Sequence, residues 1–330
     1  MKQLQPWAAF EKDMTIAMIL VADGMMNMLG HGPRAQSAAE AFLGIKIPAD
    51  FSGFLVTEAT DGAGNEEAFL ASIDITGTNF YRAVRRGYTT LTKLAPLHEV
   101  QYQDERDEAF DWLGYFLSAV PTDSYGSGDD FSGLVYDPQR PLPLLYELGG
   151  SYLYLVEFVH RTLGAGSQWG NNADRIVFNA DDLARLANVD VRSVRNAMGP
   201  TGSKPIRSFK ALPSDNDEER AYADPVDALD WLSGRRSFRC GRLEAEWVNN
   251  EIPKTESLEA LGAIAGMMFW LNGSTTEAMA AELAWDVDTA RKWTRGIGLD
   301  PLLAKRVASA AGIDPVAYSR KIQKLMKKED

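Results

Sequence analysis

The segment Phe178–Met198 constrains the fold of this chain most, because its residues are spaced for two short helices that cross at a tight turn. Asn188 occupies the turn, which needs a left-handed backbone that asparagine tolerates better than most residues. The positions predicted to face inward are apolar or small, namely Leu183, Ala184, Ala187, Val189, Val194 and Ala197. The polar positions predicted to be exposed on the second helix are Arg192, Ser193, Arg195 and Asn196.

The residues after this segment predict a β-hairpin and a further helix. Lys204–Lys210 and Ala221–Ala223 are expected to pair as short strands around the polar tip Ser214–Arg220. Asp224 is a good N-cap for the helix, and Pro225 suits its first position. This stretch, residues 175–240, therefore reads as helix, turn, helix, hairpin and helix.

This order of elements resembles the winged-helix modules of MerR-like and excisionase-like bacterial DNA-binding regulators, in which the hairpin forms the wing. Members usually carry glycine in the turn, where this chain has Asn188. The resemblance implies double-stranded DNA as the partner. It also implies that Arg192, Arg195 and Asn196 read the bases and that Ser193 contacts the DNA backbone. On the wing, the residues implied to hold phosphates are Lys204, Arg207 and Lys210.

The C-terminal part carries a second and weaker pattern of the same kind. Ser257–Leu271 is an apolar segment that predicts a helix for packing or self-association. Residues 275–325 resemble phage-repressor-like helix-turn-helix domains, with Thr275 or Thr276 as a cap. The resemblance implies exposed DNA-contacting residues on the second helix, namely Thr289, Arg291, Lys292 and Arg295. A helical bundle without DNA contact is an equal alternative.

The distribution of charge is compatible with DNA binding only in the second half of the chain. The formal net charge of the 330 residues is -12. Residues 1–174 hold 11 Lys and Arg against 23 Asp and Glu, whereas residues 175–330 hold 23 of each. Because screening confines charge effects to about 8 Å at physiological salt, the local balance decides binding. DNA affinity is expected to be modest and to depend strongly on salt.

Other classes of protein find little support in the sequence. The single cysteine, Cys240, excludes internal disulfides and sites with several thiolates. The apolar run Met14–Leu29 is too short for a membrane span and is expected to be a core or dimer helix. The three histidines lack metal-ligand spacing, and no common nucleotide-binding or serine-hydrolase motif is present. We therefore expect no cofactor, no bound metal and a cytoplasmic, nucleoid-associated protein.

Two charged clusters in the first half leave one enzymatic alternative open. The acidic run around Asp104 and Asp107 is typical of a solvated helix face, but carboxylates can also bind metal. Arg82, Arg85 and Arg86 form a basic patch that favours an ion pair or a protein partner. Further along, the prolines of residues 137–145 predict an extended stretch, and Ser151–Leu163 favours a helix.

These patterns together predict a mainly α protein with a winged helix-turn-helix. Three domains are expected: an acidic, α-rich domain with minor β at 1–165, a DNA-binding domain at 174–243, and a helical domain at 255–330. The function indicated is a non-catalytic, sequence-specific transcriptional regulator of bacterial or phage type. It is expected to act as a homodimer and to contact the transcription machinery. The alternatives are an adaptor that uses the winged helix to bind protein, and a nucleic-acid-processing enzyme with N-terminal carboxylates.

Overall fold

A computed structural model describes residues 4–30, 32–47, 55, 66–100, 102–121, 132–164, 178–199, 205–210 and 221–329. Within these residues the fold is mainly helical, with one small sheet. The chain divides into two compact units. The N-terminal unit is Gln3–Thr92 and Gln103–Gly150, and the C-terminal unit is Met1–Lys2, Lys93–Tyr102 and Ser151–Asp330. Both predicted DNA-contacting segments, 174–243 and 255–330, fall within the C-terminal unit.

The regular elements in the described part of residues 4–164 are all helices. They are α1 Trp7–Leu29, α2 Pro33–Leu43, α3 Glu66–Ala71, α4 Asn79–Lys93, α5 Tyr102–Glu105, α6 Asp111–Ala119, α7 Ser132–Tyr136 and α8 Pro141–Thr162. A π-helical turn, Arg106–Phe110, joins α5 to α6, and a short 3₁₀ helix spans Leu97–Glu99. The predicted helix at Ser151–Leu163 is confirmed as the second half of α8.

The prediction of an extended stretch at residues 137–145 is wrong, because α8 already begins at Pro141. A helix tolerates proline in its first turn, where the backbone N–H groups have no partner within the helix. Pro141 and Pro143 both lie in that turn. The prolines therefore mark where the helix starts.

The apolar run Met14–Leu29 belongs to α1, whose middle is buried. Two acidic residues are buried in the same helix, and each has a partner within the N-terminal unit. Asp13 Oδ1 accepts a hydrogen bond from Arg140 Nη1 at 3.1 Å, and Asp23 Oδ1 accepts one from the backbone N–H of Leu55 at 2.9 Å. Of the two expectations for this segment, the burial supports a core helix.

One arginine of the basic patch in the N-terminal unit pairs with two acids of the acidic run. Arg86 Nε lies 3.1 Å from Glu105 Oε1, and the same guanidinium also pairs with Glu108. Arg85 stacks on the ring of Trp7, 4.3 Å from its centroid. Arg82 donates to Asn79 Oδ1. The ion pair expected for this patch is therefore present.

The C-terminal unit combines a three-stranded sheet with short helices. Its elements after α8 are β1 Phe178–Asn179, α9 Ala180–Ala187, α10 Val191–Met198, β2 Ser208–Lys210, β3 Ala221–Ala223, α11 Pro225–Ser233, α12 Ala245–Glu251, α13 Leu258–Trp270, α14 Thr276–Leu283, α15 Val287–Thr294, α16 Pro301–Ala310 and α17 Pro315–Glu329. The strand order is β1-β3-β2, and both pairings are antiparallel. Residues Phe209 and Tyr222 are register partners in the hairpin.

Helix α13 forms the core of the helical part of this unit. Every residue from Leu261 to Trp270 is buried, so the helix is covered on all sides. The hydroxyl of Tyr318 donates to the carbonyl of Leu261 at 2.9 Å and accepts from Trp293 Nε1 at 3.3 Å. These contacts join α13 to α15 and α17. The predicted apolar helix is thus confirmed as a packing element.

Candidate functional site

The first helix pair of the C-terminal unit is α9 and α10. Asn179 caps α9, and its side chain accepts from the backbone of Asp182 while Asp182 bonds back to the N–H of Asn179. Asn188 ends α9 with φ 51° and ψ 54°, which confirms the predicted left-handed turn. The backbone N–H of Val189 then returns to the carbonyl of Ala184 at 3.0 Å. The chain is thereby turned sharply into the second helix.

The outer face of α10 is polar and solvent-exposed. Asp190 caps the helix by accepting from the N–H of Arg192 at 2.7 Å. Val194 is fully buried and fixes the opposite face against α9. The four predicted residues Arg192, Ser193, Arg195 and Asn196 are all exposed, as the periodicity predicted. Helix α10 therefore presents two guanidiniums, a hydroxyl and an amide to solvent.

The second helix pair, α14 and α15, repeats the construction of the first. Each of these four helices is eight residues long. Ala284 ends α14 with φ 50° and ψ 45°, and the N–H of Trp285 returns to the carbonyl of Ala280 at 2.8 Å. Asp286 caps α15, two residues after the turn, as Asp190 caps α10. Of the two predicted caps of α14, Thr275 is the one whose side chain accepts from the helix backbone, at the N–H of Ala278.

Replacing Ala284 with glycine is expected to raise the free energy of unfolding by about 1 kcal/mol, because alanine in a left-handed turn carries a steric penalty that glycine lacks. The change in urea midpoint measures this gain. As a matched control, Ala281→Gly places glycine inside α14 and should cost about 1 kcal/mol. Equal destabilisation by both variants would contradict the turn geometry.

The predicted DNA-contacting cations of α15 are engaged within the unit. Arg291 lies 3.5 Å from both Asp230 and Glu277, and Arg295 donates to Asp227 with its Nε at 3.1 Å. The prediction that these two arginines are exposed is wrong, since both are half-buried beside the acids of α11. Lys292 is exposed but pairs with Asp288 at 2.8 Å, and Thr289 bonds to the cap Asp286.

Arg207, predicted to hold a phosphate, also binds acids of this unit. Its Nε lies 3.0 Å from Asp227 Oδ2, and its Nη2 lies 3.1 Å from Asp224 Oδ2. The backbone N–H of Arg207 donates to Asp227 as well, at 3.0 Å. The buried carboxylate of Asp227 therefore accepts from both Arg207 and Arg295. Lys204 lies outside the described residues, and of Lys210 only the strand backbone is described.

These arginines lie around a cleft of about 510 Å³. Residues near the end of α10, the start of β2, α11 and α15 line it, among them Met198, Ile206, Arg207, Asp230, Trp231 and Arg291. Sequence reasoning assigned its arginines to two separate DNA-contacting segments and missed Asp227 and Asp230. The sequence did contain a signal for them: the two acids are three residues apart on a helix rich in apolar residues, which places both on one face of that helix.

The described residues give no support to a metal or thiol site. No group of three or more histidine, cysteine or acidic side chains in this part of the chain is placed to hold a metal ion. Asp104 and Asp107 lie in or beside the π-helical turn, and their neighbour Glu105 is bound to Arg86 and Thr90. Burial of the sulfur raises the pKa of Cys240 to about 12, which disfavours its reactive thiolate form.

The candidate site is therefore the exposed face of α10, with the cleft beside its C-terminal end. No helix among the described residues has the length and apolar character needed to cross a bilayer. Comparisons of the chain with protein-family models, curated proteins and solved structures give no significant match.

Proposed function

We propose that this chain is a sequence-specific DNA-binding regulator that reads the major groove with α10. The observation that carries the proposal is the exposed set Arg192, Ser193, Arg195 and Asn196 on a helix whose opposite face is fixed by Val194. Arginine pairs with guanine and asparagine with adenine through two hydrogen bonds each. A short, capped helix that is held rigidly on its scaffold is the usual means of placing such side chains in the groove.

The hairpin next to α10 supports the assignment of a winged helix-turn-helix. Strand β3 pairs with β1, which leads directly into α9, and with β2 on its other side. A wing in this position would contact the phosphate backbone beside the groove. Since Arg207 already pairs with Asp224 and Asp227, we assign the phosphate contacts of the wing to the remaining predicted residues, Lys204 and Lys210.

The second helix pair is proposed as a scaffold for the first. Its cations Arg291, Lys292 and Arg295 all have carboxylate partners within the unit, and a DNA contact would have to break those pairs. The proposed regulator therefore has one reading helix per chain. A homodimer would place two such helices about 34 Å apart on an inverted repeat.

Selection of bound sequences from a random duplex pool tests the proposal. We expect one preferred sequence, and we expect Arg195→Ala to weaken binding to it by about 1 to 3 kcal/mol while changing a scrambled duplex much less. Arg34→Ala, which removes an exposed arginine from α2, is the matched control and should leave binding unchanged. A pool with no enriched sequence, or an Arg192/Arg195 double variant that binds normally, would contradict sequence reading by α10, and absence of any duplex binding would favour the adaptor alternative.

A further inference from the structure

The last helix, α17, carries a stripe of cations along its exposed side. Arg320, Lys324, Lys327 and Lys328 are all exposed and follow an i, i+4, i+7, i+8 spacing, which places them on one face. Tyr318, Ile322 and Leu325 are buried and pack the other face against the unit. We call the four exposed cations the α17 stripe.

The α17 stripe has no acidic partner among the described side chains. No ion pair or side-chain hydrogen bond of these four residues occurs there, and Glu329 at the end of the helix is the one acid in the sequence of α17. The cations of α15 differ, since Arg291, Lys292 and Arg295 are each paired with a carboxylate. The four cations of α17 therefore lack a direct ion pair in the described part of a chain whose net charge is -12, and the acid that acts on the helix, Glu256, lies near Lys321.

The spacing of the stripe places like charges next to each other, although Lys327 and Lys328 in the last turn also interact favourably with the helix dipole. Arg320 with Lys324, and Lys324 with Lys328, are like-charged pairs at i, i+4 spacing, which destabilise a helix. Burial, together with Lys324 and Lys328 and against the opposing effect of Glu256, lowers the pKa of the adjacent Lys321, whose Nζ donates to the carbonyl of Pro253 at 2.7 Å. A polyanionic partner would relieve this repulsion.

The dimensions of the stripe fit a nucleic acid backbone. From residue 320 to residue 328 the helix rises about 12 Å. One strand of a DNA duplex carries a phosphate about every 3.4 Å along its axis and winds around that axis, so the stripe is long enough to reach at least two successive phosphates of one strand. Long, flexible lysine and arginine side chains make such contacts without reading the sequence.

We infer that the α17 stripe binds the phosphate backbone of a DNA duplex and supplies affinity that does not depend on sequence. Its role as a complement to the reading helix rests on the proposed function of α10. The stripe itself would bind any duplex. A protein that searches DNA needs such non-specific affinity before it reaches its site.

The experiment compares the full chain with Arg320→Gln/Lys324→Gln/Lys327→Gln/Lys328→Gln. Dissociation constants are measured for a selected duplex and for a scrambled duplex of equal length, at several NaCl concentrations. We expect the variant to bind both duplexes at least about tenfold more weakly at 0.15 M salt, and the salt slope to fall by about 2 to 4. Thermal unfolding checks that the helix remains folded.

A charge-matched control removes four exposed cations elsewhere, with the substitutions Arg34→Gln, Lys46→Gln, Arg82→Gln and Lys93→Gln. We expect this control to keep the wild-type salt slope. Equal loss in both variants would assign the effect to net charge and overturn the inference. An unchanged salt slope in the α17 variant would also overturn the inference. If the same assay shows that the wild-type chain prefers the selected duplex, the proposed function of α10 is unaffected.

Two further outcomes separate the inference from the proposed function. In the first, the wild-type chain binds both duplexes equally and the α17 variant loses this binding. That result would uphold the inference and contradict sequence-specific reading by α10. Absence of binding to either duplex would overturn both. If the wild-type chain binds no duplex but sediments with phosphatidylserine vesicles, and the α17 variant does not sediment, the stripe binds a lipid surface instead.

Discussion

Replacing Gly262 with alanine is expected to lower the free energy of unfolding of the C-terminal unit by about 3 kcal/mol. A Cβ atom at this position would lie 2.3 Å from both the backbone N of Gly296 and the carbonyl O of Trp293. Both obstacles are backbone atoms at the end of α15, so no side-chain rotation can relieve the clash. On the other side of the contact, Gly296 has a φ of 75°, which glycine adopts without strain.

Urea unfolding followed by tryptophan fluorescence measures this loss. Gly150→Ala in α8 serves as the control, because nothing lies within 4 Å of the Cβ it would add. Alanine inside a helix is then expected to stabilise by about 0.5 to 1 kcal/mol. A Gly262→Ala protein with the wild-type midpoint would refute the close approach of α13 to α15.

Removing the carboxylate of Asp227 is expected to have an effect of similar size. Asp227 is buried and accepts from both Arg207 and Arg295. Asp227→Ala would leave two partly buried guanidiniums facing each other without their shared partner. Loss of one member of a buried ion pair costs about 3 to 5 kcal/mol, and partial exposure of both arginines reduces the expected cost to about 2 to 3 kcal/mol.

The control for Asp227 is Asp288→Ala, which removes an exposed acid from the same cleft. Asp288 pairs only with Lys292 among the described side chains, and its side chain is 74% exposed. Exposed pairs contribute little, so a change below about 0.5 kcal/mol is expected. If both variants shift the denaturation midpoint equally, the Asp227 network does not hold the unit together.

The parts of the fold that depend on local sequence could be predicted. The turn at Asn188 was predictable because asparagine is one of the few residues that favours a left-handed backbone. The turn at Ala284 has nearly the same dihedral angles, yet alanine gives no such signal. Val194 and its exposed neighbours on α10 followed from helical periodicity alone.

Long-range pairing explains what sequence reasoning missed in the site. Arg295 and its partner Asp227 are 68 residues apart, and no local pattern connects them. Arg291 likewise reaches Asp230 across the cleft, so its position on the polar face of α15 did not reveal its burial. The pairing of α11 acids with these arginines follows from the packing of helices that are distant in sequence.

The antiparallel sheet has a consequence for engineering the chain. Strands β2 and β3 flank residues 211–220, and their register is fixed by backbone pairing from Ser208↔Ala223 to Lys210↔Ala221. Because β3 is also bonded to β1, both ends of that segment are held by the sheet itself. Foreign peptides or fluorescent labels inserted between the two strands would be tethered at both ends to the sheet whose strand β1 leads into α9. An insertion in this segment would therefore change the proposed wing contacts while leaving the sheet paired.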